Sequence, residues 1–130
     1  MQTILLVDDE PEVLETLADT LTSFGYEVIP KTEVLSAMTV VKAGTVIDLV
    51  ITDLKMPGVS GSEFILMLKS ARPAVPVIVL TAYGSVQSYI ESHSKGVFEY
   101  VNKPVQAKEL RRIVKAALTW PGAGHAAAPL

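Results

Sequence analysis

Ile4-Leu5-Leu6-Val7-Asp8-Asp9 is the stretch whose reading decides the fold. Four leucine or β-branched residues in a row are followed at once by two acids. A strand with one wet face alternates apolar and polar residues. A continuous run suits a strand covered on both faces, as in a parallel sheet. The pattern returns along the chain. Ile47-Asp48-Leu49-Val50-Ile51 ends in Thr52-Asp53, and Val77-Ile78-Val79-Leu80 ends in Thr81. Phe98-Glu99-Tyr100-Val101 ends in Asn102-Lys103-Pro104, and Tyr26-Glu27-Val28-Ile29, just after Gly25, is a weaker fifth run.

Between these runs the apolar period is helical. Val13, Leu14, Leu17, Leu21 and Phe24 make one stripe, with Pro11 suited to its first turn and Gly25 to its stop. Leu35, Met38 and Val41, at i, i+3 and i+6, predict a core face over about Glu33 to Lys42. Phe64, Ile65 and Leu68 mark a helix after Gly61, with Pro73 beyond its end. Ser85 suits the cap of a fourth, with Val86, Tyr89 and Ile90 inward and Gly96 as its stop. Leu110, Ile113, Val114, Ala117 and Leu118 show the clearest period. The order is β-α repeated five times. Parallel strands need crossovers, which are right-handed almost without exception. The expectation is an α/β fold, a doubly wound five-stranded parallel sheet with helices on both faces. Residues 1–119 read as one domain. Residues 120–130, rich in Pro, Gly and Ala, carry no core period and read as a linker or tail.

Composition narrows the function. Of 130 residues, 49% are hydrophobic and 19% charged, enough to bury a core and exclude wholesale disorder. No apolar run approaches the roughly 18–20 residues that span a bilayer, and no cationic stretch precedes the first run as a secretory signal would need. A cytoplasmic location is expected. Without cysteine there is no disulfide scaffold, thiolate metal site or thiol catalysis, and two histidines are too few for a multi-histidine centre. A net charge of −3 gives no electrostatic reason to expect direct nucleic-acid binding.

In an open α/β sheet, ligands bind outside the carboxyl ends of the strands. Asp8, Asp9 and Asp53, the Thr81 hydroxyl and the Lys103 ammonium all fall at that edge. Any one of these acids alone is accounted for by the frequency of Asp in turns. The ordered set is not, because crowded carboxylates repel unless a cation sits among them. Oxygen donors without His or Cys suit a hard ion, and Mg²⁺, which takes one or two carboxylates plus phosphate oxygen, is the expected cofactor. A purely structural cation is the alternative.

These stretches, with Asp53-Leu54-Lys55-Met56-Pro57-Gly58 and Thr81-Ala82-Tyr83-Gly84, resemble the receiver domain of bacterial two-component response regulators, from about Thr3 to Leu118. The resemblance implies a flavodoxin-like sheet of order 2-1-3-4-5 and a phosphorylation-dependent signalling switch. It implies Asp53 as phosphoacceptor, and Mg²⁺ held by Asp8, Asp9, Asp53 and the backbone carbonyl of Lys55. Thr81, the Ala82 backbone N–H and Lys103 would bind the phosphoryl group, with Thr81 and Tyr100 as the switch pair. The Lys103–Pro104 peptide is a cis candidate that would aim the lysine. The implied partners are a sensor histidine kinase or phosphotransfer protein, a C-terminal effector, and a second copy through the fourth helix, fifth strand and last helix. Such a domain is not an enzyme beyond catalysing its own phosphorylation and dephosphorylation. Tyr89, Ser92 and His93 depart from the family's usual fourth-helix face, which puts that dimer surface in question. Lys95, Lys103, Lys108, Arg111, Arg112 and Lys115 concentrate positive charge near the C-terminal end, as a solvated helix face or a partner or self-association surface. The alternative function is an aspartyl-phosphate-forming phosphatase of similar topology. Those enzymes place the nucleophile in an Asp-x-Asp pattern after the first strand, where this chain has Asp8-Asp9-Glu10. A flavin carrier would want a phosphate loop there, which these acids would repel.

Overall fold

The computed structural model describes residues 1–53, 61–81 and 97–120, apart from the side chains of 61, 62 and 81. The strands are β1 (Thr3–Val7), β2 (Glu27–Lys31), β3 (Leu49–Thr52), β4 (Val77–Thr81) and β5 (Glu99–Asn102). The helices are α1 (Pro11–Ser23), α2 (Val34–Lys42), α3 (Gly61–Ala71) and, C-terminal to β5, α4 (Ala107–Thr119). The helix expected between Ser85 and Gly96 lies outside the described residues, as does the segment 121–130. All strand pairs are parallel and the order is β2-β1-β3-β4-β5.

The continuous apolar runs are divided residue by residue between two cores. Leu5, Val7, Val50, Val77 and Val79 pack with α2 and α3. Ile4, Leu6, Leu49, Ile51, Ile78 and Leu80 pack with α1 and α4. Strand side chains alternate faces, so a strand buried on both sides must be apolar at every position. Every residue of β1 and β3 is buried, whereas β2 and β5, at the edges, are part-exposed. β2 runs two residues past the expected Ile29, through Pro30 to Lys31. Proline is tolerated because the strand lies at the sheet's edge.

Turn chemistry fixes the helix ends. Pro11 opens α1. At its close Gly25 has φ +97°, its N–H donates to Thr22 O and the Tyr26 N–H donates to Leu21 O. This is the paired cap that glycine in the left-handed region permits. Gly44, φ +79°, follows α2 in the same way. The α2 end is also tied down from outside, because the Arg72 guanidinium donates to Val41 O and Thr45 O at 3.0 and 2.8 Å. At the start of β3, Asp48 N–H donates to Thr3 O, and Thr3 N–H donates to the Asp48 carboxylate, both at 2.8 Å.

The structure corrects the expected face of α2. Leu35 is 69% exposed, and the buried stripe is Val34, Ala37, Met38 and Val41. That i, i+3, i+4, i+7 spacing is a fuller helical face than the i, i+3, i+6 set. In α1, Leu14 and Leu21 are buried and the half-buried Leu17 and Phe24 pack against the same core, while Val13, also half-buried, is not part of it. The α3 and α4 stripes are buried as expected.

The α2 correction is testable by urea unfolding. Met38→Ala should cost roughly 2–4 kcal/mol through lost burial and a residual cavity. Leu35→Ala should stay within about 0.5 kcal/mol of the parent. Equal losses would return Leu35 to the core.

Candidate functional site

β1 and β3 are neighbours, with Val7 opposite Thr52, so the next residues, Asp8 and Asp53, stand side by side. The strand order reverses about β1, the place where doubly wound sheets leave a crevice. The backbone fixes both acids, since Asp8 N–H donates to Lys31 O and Asp53 N–H to Val7 O. Asp8 is only 2% exposed and Asp53 only 6%, so both carboxylates are largely withdrawn from water. Asp8 Oδ1 accepts the Glu10 N–H at 3.0 Å, an Asx-type turn that leads the chain into α1.

Lys103 closes the site. It follows β5, which is separated from β3 by β4, and its stem carries the ammonium back across the sheet edge. Lys103 Nζ donates to Asp8 Oδ2 at 2.6 Å and to Asp53 Oδ2 at 2.8 Å. Burial pulls the Lys103 pKa down. The hydrogen bonds and charges of Asp53 and Asp8 outweigh it, so the net displacement is upward and the ammonium is held charged. The Lys103–Pro104 peptide bond is cis.

The remaining expected residues fall as follows. Asp9 is half-buried, and its carboxylate lies with those of Asp8 and Glu10 in one cluster whose oxygens are all within 4.8 Å. Glu10 was not among the expected ligands; its place beside Asp8-Asp9 was the available signal. Thr81 ends β4 opposite Asn102, two positions beyond Val79, which pairs with Tyr100. The Thr81 side chain, Lys55 and Ala82 lie outside the described residues. Tyr100 packs against the α2–α3 core with its hydroxyl buried. Sequence reasoning also missed an apolar groove of about 480 Å³ beside Lys103, lined by Val13, Thr16, Leu17, Leu80, Pro104 and Val105, with Glu12 at its border. The half-buried Val13 faces this groove, whereas Leu17 borders the groove and also packs against the α1–α4 core.

The donor set fits a hard divalent cation. The clustered donors are carboxylate oxygens, and two of the four acids are buried against a positive charge that only partly offsets them. Among the described residues, Asp8, Asp9, Glu10 and Asp53 outnumber the Lys103 ammonium.

Fold and site together define a flavodoxin-like α/β domain with a carboxylate–ammonium centre at its switch edge. The family model of the response regulator receiver domain matches residues 4–115. The transcriptional regulatory protein GlrR of Escherichia coli K12 is 36% identical over 115 residues, covering 88% of this chain and 26% of GlrR. The phosphate regulon transcriptional regulatory protein PhoB of Pseudomonas aeruginosa is 35% identical over 131 residues, covering 99% of this chain and 57% of PhoB. A CheY-like receiver domain from Methanospirillum hungatei JF-1 superposes with a TM-score of 0.87 at 27% identity, over 91% of this chain and 94% of that one. TrrA from Thermotoga maritima, solved in complex with Mg²⁺-BeF, superposes with a TM-score of 0.82 at 36% identity, over 91% of this chain and all of that one. The chain belongs to the receiver-domain family of two-component response regulators. Aspartyl phosphate and magnesium are standard for that family. The chain spans about a quarter of the length of the first curated relatives it matches.

Lys103→Met tests whether ammonium and metal ion share the two aspartates. In chelator the variant should unfold at a lower temperature, with a loss on the order of 3 kcal/mol from stranding two buried carboxylates. Adding Mg²⁺ should then raise its melting temperature by more than it raises the parent's. Equal Mg²⁺ increments in both proteins would show that the two cations do not compete.

Proposed function

We propose that this domain is a phosphorylation switch in which Asp53 accepts a phosphoryl group from the phosphohistidine of a sensor kinase or phosphotransfer protein. The carrying observation is the Lys103 ammonium held between Asp8 and Asp53 at 2.6 and 2.8 Å. A carboxylate is a poor nucleophile toward an anionic phosphoryl group because like charges repel. The preorganised ammonium lowers that barrier without reorganising at the moment of transfer. An oxygen of Asp53 bonds to phosphorus as the donor's P–N bond breaks, the donor nitrogen keeping the bonding pair and taking a proton from water. On this reading Asp8, Asp9 and Asp53, with the Lys55 carbonyl, hold Mg²⁺. When bound, that ion supplies further neutralisation of the oxygens around phosphorus. Thr81 and the Ala82 N–H receive the phosphoryl oxygens, and Lys103 stays paired with the new anion.

Phosphorylation adds about −1.5 to −2 charge at a site that already carries excess carboxylate. The resulting rearrangement runs through Thr81 and Tyr100 toward β5. The phosphodonor docks along the apolar groove of Val13, Leu17, Leu80, Pro104 and Val105, because that surface adjoins Lys103 and so brings a partner beside Asp53. Curated relatives bear the names of transcriptional regulators and are longer, which supports an output passed to a following effector domain. The domain catalyses no turnover beyond its own phosphorylation and dephosphorylation. Among the described residues no helix is long and apolar enough to cross a membrane.

Intact-mass measurement tests the reading. With Mg²⁺ and acetyl phosphate the protein should gain one phosphoryl group, and chelation should suppress the gain. Asp53→Asn should gain none; an equal gain in that variant would sink the assignment.

A further inference from the structure

Trp120 is the chain's single tryptophan and stands just past α4. Its backbone is extended, at φ −60° and ψ 129°. The next residue is Pro121, and a proline disfavours helical geometry in the residue before it. The sequence therefore ends the helix at Thr119 and turns the indole out of it. Turned out, the indole does not stand free in water. It lies against Phe98, with ring centroids 5.5 Å apart and planes tilted at 54°, in the range that aromatic pairs favour. Trp120 is 42% exposed, so more than half of it is covered.

Phe98 is not a neutral anchor. It sits in the bend immediately before β5, and its N–H donates to Val77 O at 2.8 Å, at the start of β4. Its ring packs in the α1–α4 core with Val101 and Val105. Two residues on, Tyr100 packs into the opposite core. The α4 helix is anchored without the tryptophan, since Ala117 and Leu118 are already buried. The Trp120–Phe98 contact thus adds little to seating the helix. What it fixes is the indole of Trp120 itself, against the residue that leads into β5.

We propose that the Trp120–Phe98 pair is a clasp that holds Trp120, the residue just past α4, against the head of β5, and that phosphorylation opens it. The inference rests on the switch reading above. A change in β5 reaches Phe98 through two residues of strand, and the clasp has a closed state in contact and an open state in solvent. A phosphoryl group at Asp53 shifts that equilibrium only if β5 differs between the two states.

Tryptophan emission, acrylamide quenching and intact mass, read on the same samples of the full chain, test this. In protein shown by mass to be phosphorylated with Mg²⁺ and acetyl phosphate, the emission should move to the red. The quenching constant should rise about twofold, as the ring goes from 42% exposed toward full exposure. Phe98→Leu keeps apolar volume but removes the ring. Unphosphorylated, it should already show the red-shifted, readily quenched emission, and phosphorylation should add little more. Unchanged emission in folded Phe98→Leu overturns the clasp itself. Emission that stays constant while mass shows full phosphorylation overturns the switching, and leaves Asp53 as phosphoacceptor intact. Absence of any mass gain overturns the phosphoacceptor reading and the switching together.

Discussion

Two carboxylates cannot be kept side by side out of water without positive charge between them, and Lys103 supplies that charge from the far side of the sheet. The arrangement depends on every layer of the fold. Parallel pairing of β1 with β3 puts Asp8 beside Asp53. The parallel addition of β4 and β5 brings Lys103 to the same edge. The full burial of β1 and β3 then withdraws the acids from solvent and gives the ion pair its strength. The balance is incomplete, since the one ammonium pairs with two buried carboxylates while Asp9, half-buried, and Glu10, exposed, add further negative charge beside Asp8. A site left with surplus negative charge attracts a divalent cation, and with that cation in place it can receive an anion.

The same edge carries a mechanical asymmetry. β1 and β3 are clamped on both faces, and Asp48 and Thr3 stitch their opposite ends together. β5 has a neighbour on one side only, and its side chains divide between the two cores, with Tyr100 in one and Val101 in the other. The two buried carboxylates therefore stand at the ends of strands buried on both faces, while Tyr100 stands on an edge strand, as β2 also is. Low local stability is where conformational response belongs.

Much of this was legible in the residues, for identifiable reasons. The strands could be read because burial on two faces leaves no polar position to interrupt the run. Asp8 and Asp53 could be placed together because strand ends at a parallel edge meet wherever strands pair. α2 was harder. Leu35-Met38-Val41 and Val34-Ala37-Met38-Val41 share two members, and a nine-residue helix has too few turns to choose between rotations of about 100°. Its seating on β1 and against α3 makes the choice, and that is tertiary information. The groove beside Lys103 was invisible for a related reason. Val13 obeys the helical period, but whether it meets the core or an opening depends on how far the loop after β5 stands from α1. The role of Lys103 could not be reached from spacing, because its partners lie 50 and 95 residues away; resemblance suggested it and geometry now shows the contacts.

Pro30 has a consequence for how copies of this domain meet. Glu27 N–H and Lys31 O both bond toward β1, so by alternation the backbone of residue 30 faces away from the sheet. That open side is where another strand would add, and proline offers it no donor. The ladder is thus interrupted on its outer rim at the point level with Leu6, near the carboxyl end of the strands. Edge-to-edge fusion of two sheets, the route by which exposed strands nucleate aggregates, meets a missing bond beside the acidic centre. A single imino acid thereby withholds a donor that a strand added at this edge would need.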